Sequence, residues 1–142
     1  MKDSIKKEQL FPHPIQKVWN AISKGEELTT WFIKADFKAE VGYRYTFSST
    51  GENGCTEING EIKQAHPYTL AYTWVVANTK VETTVTWVLE ETDQGTLLHL
   101  EHSGISKYEG DTAVAMFSSF DGGWDNCIQG LSKHLIKSVH AG

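Results

Sequence analysis

The sequence is poor in cysteine and has no long hydrophobic run. Its two cysteines, Cys55 and Cys127, lie far apart and lack the spacing of metal ligands. The charged start contains no apolar segment of the signal-peptide type, and no stretch approaches the length of a membrane span. We therefore expect a cytoplasmic protein with reduced thiols and no membrane insertion.

Positive charge is also scarce. The chain has 13 lysines and arginines against 18 aspartates and glutamates, which gives a net charge of -5. A nucleic-acid surface needs a basic stripe, so this balance argues against nucleic acid as a partner. Motifs of the Cys-x-x-Cys, His-Glu-x-x-His, Gly-x-Ser-x-Gly and phosphate-loop types are missing. The sequence therefore predicts no metal, no cofactor and no catalytic nucleophile.

Aromatic residues, by contrast, are abundant and mark a long helix near the end of the chain. Residues 111–139 carry apolar side chains at intervals of three and four, with polar residues between them. Gly122 and Gly123 interrupt this pattern, and each costs about 1 kcal/mol in a helix interior relative to alanine. The pair predicts a bend, a delayed helix start or a crowded position. The apolar stripe comprises Phe117, Phe120, Trp124, Ile128, Leu131 and Leu135.

The earlier part of the chain alternates apolar and polar residues with the period of strands. A strand at 3–11 precedes helices at about 14–23 and 26–31 and a short strand near 33–38. The pattern then predicts five strands joined by short turns, at about 43–48, 55–65, 69–74, 81–90 and 96–102. Short turns favour an antiparallel meander. We expect one α+β domain over 1–142, a curved antiparallel sheet wrapped around the long C-terminal helix.

Several motifs accompany this order of elements: V-G-Y-R-Y-T-F at 41–47, L-A-Y-T-W at 70–74, G-T-L-L at 95–98, H-S-G at 102–104, Pro14, Trp31-Phe32, Pro67 and Gly123-Trp124. Together, the order and the motifs resemble the helix-grip superfamily, which includes START lipid-transfer domains and polyketide cyclases. Within it, the chain resembles the branch related to the C-terminal domain of the activator of heat-shock protein 90 ATPase. The resemblance implies the helix-grip fold but not one function, because this scaffold serves binders, cyclases and cochaperones.

A sheet that bends around a helix cannot pack flush along its whole length, and the gap has the size of a ligand. We therefore expect a cavity between the sheet and the C-terminal helix, although part of the aromatic set is expected to fill the core instead. The predicted ligand-binding residues are Trp31, Tyr43, Tyr45, Phe47, Tyr72, Trp74, Val85, Trp87, Leu98, Leu100, His102, Phe117, Phe120 and Trp124.

His102 is the most interesting polar residue of this set. Its strand parity aligns it with Leu98 and Leu100 on the predicted inner face. A buried imidazole there could hydrogen-bond a ligand or transfer a proton. Alternatively, it lies at the end of the sheet and is satisfied by the backbone or by the hydroxyl of Ser103. His99 points to the opposite face, so the two histidines do not predict a metal site.

Three functions remain open on the sequence. The first is binding of a small hydrophobic or amphipathic molecule, such as a lipid, polyketide or flavonoid-like compound, without turnover. The second is a polyketide cyclase or dehydratase, which would need inward-facing carboxylates. The third is a cochaperone-type contact with a heat-shock protein 90 homologue, which only the resemblance suggests. The carboxylates with outward strand parity, which weaken the cyclase reading, are Glu57, Glu61, Glu82, Glu90 and Glu101.

Replacing Trp124 with alanine is expected to lower the free energy of unfolding by about 3–5 kcal/mol, because the residue is central on the apolar stripe. Denaturant melts of the two proteins measure the change. A loss below about 1 kcal/mol would show that the side chain is exposed or lines an open mouth.

Overall fold

A computed structural model of the chain describes residues 4–31, 34–51, 54–66, 68–76, 81–108 and 110–141. Phe32 and Pro67, which belong to the sequence motifs above, lie outside these ranges, as does Ile33 at the predicted start of the short strand. Within the ranges, none of the helices combines the length and the hydropathy that a membrane span needs.

The elements follow the predicted order. They are β1 (Ile5–Phe11), α1 (Ile15–Ser23), α2 (Gly25–Trp31), β2 (Lys34–Asp36), β3 (Arg44–Gly51), β4 (Gly54–His66), β5 (Thr69–Val76), β6 (Thr83–Thr92), β7 (Gly95–Ser103) and α3 (Gly110–Ala141). A 3₁₀ turn at Ile105–Lys107, which periodicity did not predict, joins β7 to α3. The strands and helices are set by local sequence periods, which is why their order could be predicted.

The strands form one antiparallel sheet of seven strands in the order β1-β7-β6-β5-β4-β3-β2. Neighbours in sequence from β2 to β7 are neighbours in the sheet, as short turns between strands require. β1 extends the other edge by pairing with β7. With α3 covering one face, this is the helix-grip α+β fold, and the prediction of the fold class is confirmed.

The period of two decides which strand residues enter the core. In β6, the buried side chains are Thr83, Val85, Trp87 and Leu89. In β7, they are Thr96, Leu98, Leu100 and His102. The central strand β5 is buried on both faces, because Ala71 and Thr73 are covered as well.

Gly60 in β4 lies where neighbouring backbone comes unusually close. A Cβ atom at this position would stand 2.0 Å from the carbonyl oxygen of Thr73 and 2.7 Å from Cε2 of Tyr45. The hydroxyl of Tyr45 donates a hydrogen bond of 2.5 Å to the same carbonyl. The sequence predicted a bulge or a bend here; the register shift comes slightly later, between Ile62 and Gln64. Only glycine allows the close approach at position 60.

α3 runs without a break from Gly110 to Ala141, so the glycine pair at its middle neither delays its start nor acts as a linker. Gly122 and Gly123 are both exposed, and a Cβ atom at either would meet no described atom within 4 Å. Of the three predicted alternatives, the delayed helix start and the crowded position are therefore wrong. The two glycines lower the helix propensity of α3, although no described neighbour approaches the backbone closely at either position.

An ion pair fixes the middle of α3 to the edge strand β1. Lys7 Nζ lies 2.7 Å from Asp121 Oδ1 and 3.0 Å from Asp125 Oδ1. The hydrogen bond to Asp121 is the main cause that holds the pKa of Lys7 above its ordinary value. The two aspartates lie four residues apart and share one helix face. Periodicity had placed them on a polar outer face, and the structure shows that this face meets β1.

Replacing Gly60 with alanine is expected to lower the free energy of unfolding by about 1–3 kcal/mol, because the methyl group would collide with backbone atoms of the sheet. Replacing Gly122 with alanine is the matched control. It is expected to raise the free energy of unfolding by up to about 1 kcal/mol, because its methyl group meets open space. Urea unfolding curves measure both, and equal effects would contradict the close approach at Gly60.

Candidate functional site

The space between the sheet and α3 is filled with side chains for most of its length. A cavity of about 290 Å³ remains where β4 and β5 face the first half of α3. Ser119 and Gly123 are exposed residues at its border, so the cavity opens to solvent beside the helix. Its lining comprises Ile58, Trp74, Val76, Met116, Ser119, Phe120, Gly123 and Trp124.

The structure brings three of the predicted ligand-binding residues to this cavity, namely Trp74, Phe120 and Trp124. The larger part of the predicted set is buried in the core of the protein, where rings from the strands interlock with one another and with the helix. That part comprises Tyr45, Phe47, Tyr72, Val85, Trp87, Leu98, Leu100 and His102.

The remaining three predicted residues lie elsewhere. Trp31 joins the two short helices, because its Nε1 donates a hydrogen bond of 2.8 Å to the carbonyl oxygen of Ala21. Tyr43 precedes β3 and donates a hydrogen bond from its hydroxyl to the carboxylate of Asp36. Phe117 is half-buried on α3 and packs against the core beside the cavity.

Five lining residues were not predicted, although the sequence carried a signal for each. Ile58 and Val76 are paired across β4 and β5, and Ile58 shares its strand parity with the buried Ile62. The other three share one face of α3 with Phe120 through their spacing of three and four residues. They are Met116, Ser119 and Gly123.

Trp124 is the centre of the aromatic wall behind the cavity and is 4% exposed. Its ring centroid lies 5.3 Å from that of Trp74, 5.8 Å from that of Trp87 and 5.8 Å from that of His102. These rings meet edge to face or tilted, geometries that add about 0.5–1.5 kcal/mol per pair beyond simple burial. Phe120 lies over the imidazole, with the two ring centroids 4.6 Å apart.

His102 is fully buried and both of its nitrogens are engaged. The Nε1–H of Trp124 donates to Nδ1 at 3.0 Å, so this nitrogen carries no proton. The proton of the neutral ring is therefore on Nε2, which lies 2.7 Å from the hydroxyl of Thr83. That hydroxyl donates onward to the backbone carbonyl of Trp74 at 3.2 Å. Sequence reasoning had named the backbone or Ser103 as partners, and the actual partners are Thr83 and Trp124.

The buried titratable groups behind the cavity and in the core are held in their neutral forms. Burial lowers the pKa of His102 to about 4. Burial also raises the pKa of the Tyr45 and Tyr72 hydroxyls, and the Tyr72 hydroxyl accepts a hydrogen bond of 2.9 Å from Trp87 Nε1. None of the lining residues described above is ionisable. The geometry suits binding of an apolar molecule better than proton transfer to one.

A metal site would need several His, Cys, Asp or Glu side chains close together. Over the part of the chain that the structure describes, no group of three or more of these residues could hold a metal ion. Cys127 is buried, and burial raises the pKa of its thiol. A buried, protonated thiol behaves as a small apolar side chain of the core.

An antiparallel sheet that encloses one long C-terminal helix, with an apolar cavity left between them, defines a helix-grip protein. The chain belongs to the family described as Activator of Hsp90 ATPase homolog 1-like protein, whose model matches residues 12–135. This confirms the branch of the superfamily that the sequence motifs indicated.

Several solved structures share the fold. Protein MLL2253 from Mesorhizobium loti has a TM-score of 0.83 and 27% identity, over 94% of this chain and 97% of that one. Protein BH1534 from Bacillus halodurans has a TM-score of 0.75 and 30% identity, over 95% of this chain and 97% of that one. DynU16, from the dynemicin biosynthetic locus, has a TM-score of 0.82 but 19% identity over 97% of this chain and 49% of its own length, so the likeness concerns the fold. No curated protein matches the sequence.

Acid is expected to weaken the fold through His102. The folded chain keeps this ring neutral. The contribution of His102 to the free energy of unfolding is therefore complete above the ordinary pKa of 6.5 and is lost as the pH falls toward the pKa of about 4 in the folded chain. The loss over this window is about 3 kcal/mol in the free energy of unfolding.

Urea unfolding at a series of pH values tests this expectation, with His102→Gln as the control that cannot titrate. The stability of the variant should fall less steeply between about pH 6.5 and pH 4 than that of the wild type. Carboxylates titrate in both proteins, so only the difference between the two slopes reports His102. Equal slopes would contradict the assignment.

Proposed function

We propose that this protein binds a small, largely apolar molecule in the cavity between β4, β5 and α3 and releases it unchanged. The observation that carries the proposal is the cavity itself, about 290 Å³ left unfilled beside a densely interlocked aromatic core. Cavities lined by apolar side chains take up apolar guests, because water finds few partners in them. Burial of apolar surface, worth about 25 cal/mol per Å², provides the affinity.

The size of the cavity supports a compact ligand. Its volume of about 290 Å³ lies at the lower end of the range of roughly 300–1,000 Å³ for small-molecule sites. Trp74, Phe120 and Trp124 offer aromatic faces and edges, which suit a ring compound through stacking and edge contacts. Among the compounds that the sequence suggested, small rings of the polyketide or flavonoid kind fit this description better than a lipid with two long chains.

The polar groups support binding over turnover. A cyclase or dehydratase needs a group that accepts or donates a proton beside the substrate. Ser119 is the one polar side chain among the lining residues apart from the indole nitrogens of the two tryptophans. His102, just behind the cavity, has both nitrogens engaged by Thr83 and Trp124.

Titration with a naphthalene-sized aromatic probe, followed by tryptophan fluorescence and by backbone amide shifts, tests the proposal. In the variant Gly123→Leu, the new side chain is expected to occupy the mouth of the cavity and to weaken binding at least about tenfold, or about 1.4 kcal/mol. The backbone leaves room for a Cβ atom at this position, so the variant is expected to fold.

The matched control is Gly122→Leu, the same substitution at the neighbouring exposed position, which does not border the cavity. Its affinity for the probe should equal that of the wild type. Equal weakening in both variants, or amide shifts confined to the outer face of the sheet, would exclude the cavity as the site. A chemically altered probe recovered after incubation would favour the cyclase instead.

A further inference from the structure

Three tryptophans pack between the sheet and α3, and each brings one N–H donor into the core. Trp87 donates to the hydroxyl of Tyr72 at 2.9 Å. Trp124 donates to Nδ1 of His102 at 3.0 Å. The Nε1–H of Trp74 is buried and has no hydrogen-bond partner among the residues that the structure describes. The three indole N–H donors thus have two acceptors, the Tyr72 hydroxyl and Nδ1 of His102, and the N–H of Trp74 has none among the described residues.

A buried indole N–H without an acceptor is uncommon and unfavourable. Tryptophan can only donate, and leaving such a donor buried and unsatisfied carries a desolvation penalty that no hydrogen bond offsets. Most buried tryptophans find a partner for this reason. An unsatisfied donor in a native structure therefore points to a partner that the chain itself does not provide.

The surroundings of Trp74 explain why the protein cannot satisfy it. The rings packed against it include Phe47 and Phe120, whose side chains carry no acceptor. The nearby imidazole of His102 accepts from Trp124 and uses its other nitrogen toward Thr83. The aromatic wall therefore excludes water from the indole nitrogen without offering an oxygen or nitrogen in its place.

Trp74 is also a lining residue of the cavity, and a guest molecule there can bring the missing acceptor. The nitrogen is covered by its neighbours, so the lining has to adjust for an acceptor to reach it. Met116 and Phe120, which belong to the α3 side of the cavity, are only half-buried. Methionine has three rotatable bonds and adapts readily to the shape of a guest.

We infer that the ligand carries a carbonyl, ether or phenol oxygen that accepts a hydrogen bond from the Trp74 indole, and that Trp74 selects oxygen-bearing ring compounds over plain hydrocarbons. This inference rests on the proposed function and adds the chemical class of the ligand. The cavity supplies apolar burial for the ring, while the single unmatched donor fixes the orientation of the oxygen.

Two probes of matched shape, 2-acetylnaphthalene and 2-isopropylnaphthalene, isolate the contribution of the oxygen. Their affinities for the wild type and for Trp74→Phe are measured by calorimetry. Loss of the indole N–H should lower the ratio of ketone affinity to hydrocarbon affinity about three- to tenfold, the usual contribution of one hydrogen bond. The smaller ring of phenylalanine affects both probes, so the ratio cancels that change.

A spectroscopic measurement on the wild type keeps the test independent of the stability of the variant. The indole ¹H–¹⁵N resonance of Trp74 should move downfield with the ketone and not with the hydrocarbon. Trp87→Phe, which removes a donor that is already paired with Tyr72, is the control and should leave the affinity ratio unchanged.

The outcomes separate this inference from the proposed function. If Gly123→Leu blocks both probes while the affinity ratio and the Trp74 resonance do not respond to the oxygen, the cavity binds ligands but the inference is overturned. If Gly123→Leu blocks neither probe, or neither probe binds the wild type, the proposed site and the inference both fail.

Discussion

The hydrogen bond from the indole of Trp124 to the buried imidazole of His102 joins the helix to the sheet, and the arrangement of the core depends on it. From His102 the chain of hydrogen bonds continues to Thr83 and then to the backbone carbonyl of Trp74. It thus connects α3 with β7, β6 and β5, three strands that are adjacent in the sheet. Each member is buried, so breaking one link would leave an unpaired polar group in an apolar environment. This network fixes the rings that form the inner wall of the cavity.

The two halves of α3 are held very differently, which explains where the cavity lies. Near its C-terminal end, Lys17 of α1 donates to the carbonyl of Leu135 at 2.7 Å, and His134 lies 2.9 Å from the carboxylate of Glu27 in α2. In the first half, by contrast, Val114 is 60% exposed. A helix that is anchored at its middle and end need not pack flush at its beginning. The unfilled volume lies beneath the first half of the helix, from Met116 to Trp124.

Stability and the proposed function make opposite demands on Trp74. As a core residue it packs against Trp124 and Phe47, and these contacts stabilise the sheet side of the cavity. Its unmatched N–H has the opposite effect, because a buried donor without an acceptor is destabilising. Natural proteins break local rules of this kind mainly where a site requires it. The residue therefore connects the energetics of the fold with the chemistry expected of the ligand.

Periods of two and 3.6 residues are local properties, so the sequence by itself determined the elements, their order and the inward parity of the aromatic residues. Whether an inward ring fills the core or borders a space depends on the distance of α3 from each strand, and local periods do not encode this distance. Phe47 is therefore enclosed, whereas Ile58 borders the cavity. The partners of His102 lie 19 and 22 positions away, and only the folded chain brings them together. The spacing of apolar residues around Gly123 predicted the helix. It did not predict the empty space beside this residue, because strands distant in sequence define that space.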